Sequence, residues 1–106
     1  MKLILALLAT AVMASAASTS TKVDIRDYAF QKMPMTITAG STVTWTNRDD
    51  DPHTVTADDK TFDSKGLGQD DTWSHTFAKP GVYRFHCSVH PFMKGTIVVT
   101  EAPTHV

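Results

Sequence analysis

Residues 81–95 read GVYRFHCSVHPFMKG and carry the most informative pattern in the chain. Alternation in its first half predicts a half-buried strand whose core face carries Tyr83, Phe85 and Cys87. His86 then points to solvent, although it adjoins the cysteine. The chain turns and returns as a second strand, so the stretch predicts two neighbouring strands joined by a tight loop.

Period-two alternation extends over most of the chain from Lys22 onward. β-branched and aromatic residues fall on one side of each run, and Gly, Pro and Asp turns separate the runs. This pattern favours an all-β antiparallel β-sandwich without a helix. The runs lie at 23–30, 35–37, 43–45, 53–56, 72–77, 81–87 and 95–101. Residues 58–71 are the least regular segment and are predicted to form a long loop, in which a helical turn is possible.

The first residues are typical of a secretory signal. Lys2 is followed by an apolar run and by a small-residue cleavage site near Ala16 and Ala17. The run is shorter than the roughly 20 residues that span a bilayer, so a membrane anchor is the less favoured alternative. We therefore expect a signal peptide at 1–16, a flexible leader at 17–21 and one domain at 22–106. The mature protein is predicted to be soluble and exported.

The charge balance excludes one class of partner. Ten Lys and Arg face eleven Asp and Glu, for a net charge of −1. Nucleic-acid binding needs a concentrated basic surface, so none is expected. The acidic runs, such as 49–51, are typical of solvated loops, although they could also steer a cationic partner.

Cys87, His90 and Met93 are spaced three residues apart, and Cys87 is the only cysteine. A single thiol in an exported protein has no disulfide partner in its own chain, so a metal-bound thiolate explains it well. His53 could supply a second imidazole. A cysteine, two histidines and a weak methionine form the donor set of blue-copper electron-transfer sites. Zinc is the competing metal, but zinc sites usually lack methionine.

Each predicted ligand has an alternative role. Met93 could be core filler, His90 a surface histidine, and His53 has no local feature that requires a metal. His75, His86 and His105 do not match the ligand spacing. His75 lies between two aromatic residues on one strand face and is expected to be partly buried.

The stretch from Thr42 to Val99 resembles the cupredoxins, and within them the group of amicyanin, pseudoazurin and plastocyanin. The matching segments are VTWTN at 43–47, PHTV at 52–55, PGVY at 80–83 and CSVHPFMKG at 87–95. The short gap between His90 and Met93 is most similar to that of amicyanin.

The resemblance implies an eight-stranded Greek-key β-sandwich that holds one type 1 copper ion. It implies His53, Cys87, His90 and Met93 as the ligands, and a soluble periplasmic electron carrier that cycles Cu(II)/Cu(I). Larger redox proteins would dock transiently near His90. An amine dehydrogenase is the possible donor, and a cytochrome or reductase the acceptor. A monomer without a membrane anchor is expected.

Two positions depart from that family. Thr54 replaces an asparagine that follows the first histidine in many relatives, and its hydroxyl could still reach Ser88. Val89 replaces a proline in amicyanin-like loops. We hypothesise that the Val89 N–H bonds to the Cys87 sulfur.

Copper transport or delivery is the alternative function. It is less favoured because a carrier that must release its metal usually has exposed ligands. An enzyme is not expected, because a saturated copper leaves no open position for a substrate.

Overall fold

Eight β-strands form in the computed structural model, which describes residues 19–103. No helix occurs in this range, and therefore none that could cross a bilayer. The strands are β1 (Ser20–Arg26), β2 (Ala29–Phe30), β3 (Met35–Thr38), β4 (Ser41–Asn47), β5 (Thr56–Ala57), β6 (Thr72–Phe77), β7 (Gly81–His86) and β8 (Lys94–Thr100).

The strands form two four-stranded sheets. One has the order β2-β1-β4-β6, and the other β3-β8-β7-β5. The all-β sandwich predicted from the sequence is confirmed. Two strand pairs, β1 with β4 and β3 with β8, are parallel, and the other four are antiparallel.

The core lies between the sheets and follows from the alternation. Val43 and Trp45 of β4 are fully buried, and Phe85 of β7 packs edge-on against Trp45 at a centroid distance of 5.6 Å. Burying such side chains stabilises the fold by about 1.5–3 kcal/mol each. This core fixes the end of β7 from which the cysteine follows.

The chain turns at Asp27 and Tyr28, where the sequence pattern predicted a continuous strand. Alternation predicted one strand up to Phe30, but Asp27 and Tyr28 both have a φ of 56° and form a turn. β2 then pairs antiparallel with the end of β1, with Arg26 opposite Ala29. The two-residue turn shifts the phase of the alternation, so buried Ile25 of β1 lies opposite buried Phe30 of β2 although one position is odd and the other even.

The segment 58–71 contains no helical turn. Single bridges hold this part of the chain to the run before it, between His53 and Leu67 and between Thr56 and Asp63. β1 begins at Ser20, inside the predicted flexible leader, because its backbone pairs with β4. The predicted signal peptide and His105 lie outside the described residues.

Candidate metal centre

Cys87 directly follows β7 and is fully buried. Its N–H donates to the Met93 carbonyl at 3.1 Å, and the Met93 N–H donates to the His90 carbonyl at 2.9 Å. These bonds close the loop, so His90 returns over the cysteine. Its Nδ1 lies 3.7 Å from the Cys87 Sγ.

His53 reaches the same place from the other half of the chain. It is fully buried and is held by two backbone hydrogen bonds to Leu67, at 3.1 and 2.8 Å. The sequence placed it on a strand at 53–56, but β5 begins only at Thr56 and His53 makes an isolated bridge. Its Nδ1 lies 3.8 Å from the Cys87 Sγ.

Three donor atoms form a triangle of the size that a metal ion requires. The two Nδ1 atoms of His53 and His90 are 3.2 Å apart, and each lies 3.7–3.8 Å from the Cys87 Sγ. A point equidistant from all three lies about 2.1 Å from each, close to typical imidazole and thiolate bond lengths of about 2.0–2.3 Å to zinc. The residues therefore fit one bound metal ion.

The donor types distinguish between metals. Among the described residues, no other His, Cys, Asp or Glu joins this group. A structural zinc site requires four ligands, mostly Cys and His. One thiolate and two imidazoles instead match copper. Met93 is 2% exposed and is anchored beside the triangle by its backbone bonds to the loop.

Thr54 supports the cysteine. Its N–H donates to the Cys87 Sγ at 3.3 Å, and its hydroxyl accepts from the Ser88 N–H at 2.8 Å. The predicted contact between the Thr54 and Ser88 hydroxyls is confirmed, at 3.1 Å. Among the described residues, Thr54 is the backbone donor to this sulfur, and the hydrogen bond that we hypothesised from the Val89 N–H is not formed.

Asp49 is not among the residues predicted from the sequence to belong to the site. Its carboxylate accepts from the His53 Nε2 at 2.8 Å, and from the N–H groups of Asp27 and Tyr28 at 2.8 and 2.9 Å. A proton on the Nε2 leaves the Nδ1 lone pair free for a metal.

Burial acts to raise the pKa of the Asp49 carboxyl, but the hydrogen bonds from Tyr28, His53 and Asp27 outweigh it and lower the pKa. Asp49 precedes His53 by four residues, which was the available signal. The acidic run by itself predicts a solvated loop, because the Asp27–Tyr28 turn that Asp49 contacts is distant in sequence.

Tyr28 is likewise not among the residues predicted from the sequence to belong to the site. Its ring meets those of His53 and His90 edge-on, both at a centroid distance of 5.2 Å. Its hydroxyl donates to the Asp51 carboxylate. This hydrogen bond is the largest of the effects that raise the pKa of the Tyr28 phenol, followed by burial.

His75 and His86 lie outside the donor triangle, as the sequence predicted. His86 forms a hydrogen bond with Asp58 at 2.7 Å. His75 is partly buried and stacks on Trp73 at a centroid distance of 5.6 Å.

The family model of the cupredoxin-like domain matches residues 1–99. The chain belongs to the cupredoxin-like family. Among curated cupredoxins, it is 41% identical over 85 residues to amicyanin-alpha of Methylorubrum extorquens, covering 76% of this chain and 71% of that protein. It is 33% identical to the amicyanin of Paracoccus denitrificans, covering 73% of this chain and 63% of that protein.

Solved cupredoxin structures show the same fold. An amicyanin variant in its Cu(I) form superposes with a TM-score of 0.69 at 32% identity, covering 81% of this chain and 87% of that one. A purple cupredoxin from Nitrosopumilus maritimus gives 0.71 at 30% identity, covering 76% of this chain and 99% of that one. The prediction of a cupredoxin similar to amicyanin is therefore confirmed.

Proposed function

We propose that this protein is a periplasmic electron carrier with one type 1 copper ion. His53, Cys87 and His90 are the strong ligands, and Met93 is the weak axial ligand. The observation that carries the proposal is the donor triangle, whose edges of 3.2, 3.7 and 3.8 Å suit one soft metal ion. The amicyanin relatives support the same assignment.

Copper supplies a one-electron change between Cu(II) and Cu(I). The chain supplies a rigid frame, in which each ligand is fixed by backbone bonds and Asp49 orients the His53 ring. The Thr54 N–H at the sulfur stabilises negative charge on the thiolate. A frame that needs little rearrangement favours fast electron exchange.

His90 is the only partly exposed member of the triangle. Phe92 and Val89, beside it on the loop, are 70% and 56% exposed, and Pro52 and Pro91 are also exposed. We propose that larger redox proteins dock transiently on this apolar surface, which would bring their redox centres close to the copper. A dehydrogenase donor and a cytochrome or reductase acceptor are the candidate classes.

The alternative is copper transport or delivery. Full burial of His53 and Cys87 favours retention of the metal over its release, so electron transfer is the better-supported function. The same enclosure disfavours an enzyme, because a substrate would have only the His90 side from which to approach.

The test is to express residues 17–106, add Cu(II), and record visible and electron spin resonance spectra. We expect an intense blue thiolate-to-copper band that reductant bleaches reversibly. Cys87→Ser should abolish the band, whereas His86→Gln, a change at the adjacent residue outside the triangle, should keep it. Tight Cu(I) binding without the band in the unmodified protein would instead support delivery.

A further inference from the structure

The turn between β1 and β2 has an unfavourable residue for its backbone. Asp27 and Tyr28 both have a φ of 56°. Two-residue hairpin turns with two positive φ angles strongly prefer Asn-Gly or Asp-Gly. Asp27 fits this preference, but a bulky aromatic residue in the left-handed region is an outlier. Glycine at position 28 would relieve the strain.

The ring of Tyr28 offers a reason for this outlier. It contacts the imidazoles of both His53 and His90, with interplanar angles of 81° and 83°. Edge-to-face contacts of this kind are favourable beyond simple burial. The two histidines are 37 residues apart in sequence, and this one side chain contacts both of their rings.

Two further contacts hold the tyrosine in place. Its hydroxyl is bonded to Asp51, and its N–H donates to the Asp49 carboxylate that orients His53. Backbone strain retained at a functional site points to a role for the strained residue there.

We propose that Tyr28 is a positioning residue that holds both imidazoles in their metal-binding orientation before the metal arrives. This inference rests on the proposed copper function. Such pre-organisation lowers the entropic cost of ordering the ligands on binding. Tyr28 therefore raises the affinity for copper, although its backbone conformation destabilises the turn.

Two variants separate the effect of the Tyr28 ring from the effect of the turn conformation. Tyr28→Gly removes the ring but keeps the N–H that binds Asp49, and it supplies the residue that the turn prefers. Tyr28→Phe keeps the ring and removes only the bond to Asp51. For each variant, Cu(I) affinity is measured by competition with bicinchoninic acid, thermal unfolding on the metal-free protein, and histidine ring motion by ¹⁵N relaxation without metal.

We expect Tyr28→Gly to bind Cu(I) about tenfold more weakly, the lower end of the effect of outer-shell changes. Its metal-free unfolding temperature should be equal or higher, and its histidine rings more mobile. Tyr28→Phe should show a smaller loss, about twofold to threefold, because the contact with both rings remains.

Two results would overturn the inference. One is that Tyr28→Gly keeps the original affinity and ring order. The other is that Tyr28→Phe loses as much affinity as Tyr28→Gly, which would assign the effect to the hydroxyl. If the unmodified protein shows no blue copper band, the proposed function itself fails, and the inference falls with it.

Discussion

Individual residues around the donor triangle differ in how readily they can be predicted from the sequence. Cys87, His90 and Met93 share one short loop, so their spacing is itself a signal. His53 was suggested by the need for a second imidazole and by the family resemblance. Asp49 lies only four residues before His53, but its contact with Tyr28, and the contacts of Tyr28 with the two histidine rings, join segments 21 or more residues apart, which no local pattern reveals.

The role of the Asp49 carboxylate can be tested by substitution. Asp49→Ala should weaken copper binding by about 10-fold to 100-fold, because His53 loses the partner that fixes its tautomer. Asp50→Ala is the matched control, since Asp50 is exposed and bonds to Gln69 instead. Chelator competition measures both. Equal affinities for the two variants would show that Asp49 does not orient the ligand.

His75 gives a prediction about pH. Burial lowers the pKa of His75 below its ordinary value of about 6.5, so the unfolded chain binds a proton more readily than the folded one. This residue therefore costs stability as the pH falls below about 6.5. In urea unfolding of the metal-free protein, His75→Phe should lose less stability between about pH 7.5 and about pH 5.5 than the original chain.

The control for that experiment is Ser74→Ala, a change on the same strand that removes no titratable group. It should keep the original pH dependence. A pH dependence that His75→Phe leaves unaltered would mean that other groups carry it.

Among the elements, strand positions were largely predictable and strand directions were not. Period-two alternation identifies a half-buried strand, and it placed β4, β6 and β7 well. It contains nothing about direction, so the parallel pairing of β1 with β4 had to come from the fold. The β1–β2 turn could not be predicted from the sequence, because Tyr28 occupies a turn position where glycine is expected.

Gly95 controls the contact between β7 and β8. It lies opposite Phe85, and a Cβ at Gly95 would come within 2.9 Å of three atoms of that ring. Gly95→Ala should therefore lower the free energy of unfolding by about 1–3 kcal/mol through overpacking. Gly66→Ala is the control, because open space surrounds a Cβ there. Urea unfolding compares them, and equal stabilities would show that Phe85 moves aside without cost.

For the whole molecule, most of the core is built from side chains that are not candidate metal ligands. Both sheets contribute fully buried side chains, including Val23, Trp45 and Ile97. We expect the metal-free protein to keep its β-sheet circular dichroism and to unfold at a lower temperature than the copper form. Bound metal stabilises the folded state by mass action, by about 4 kcal/mol at 1,000 times the dissociation constant. A metal-free chain without sheet signal would contradict this.

The inaccessibility of the Cys87 thiol should lower its reactivity before copper binds. Its sulfur has no exposed surface and already accepts a hydrogen bond from Thr54. Alkylating reagents and peroxide should react with it slowly, and two chains should not crosslink through it. A newly made molecule is therefore expected to withstand oxidising conditions until the metal arrives.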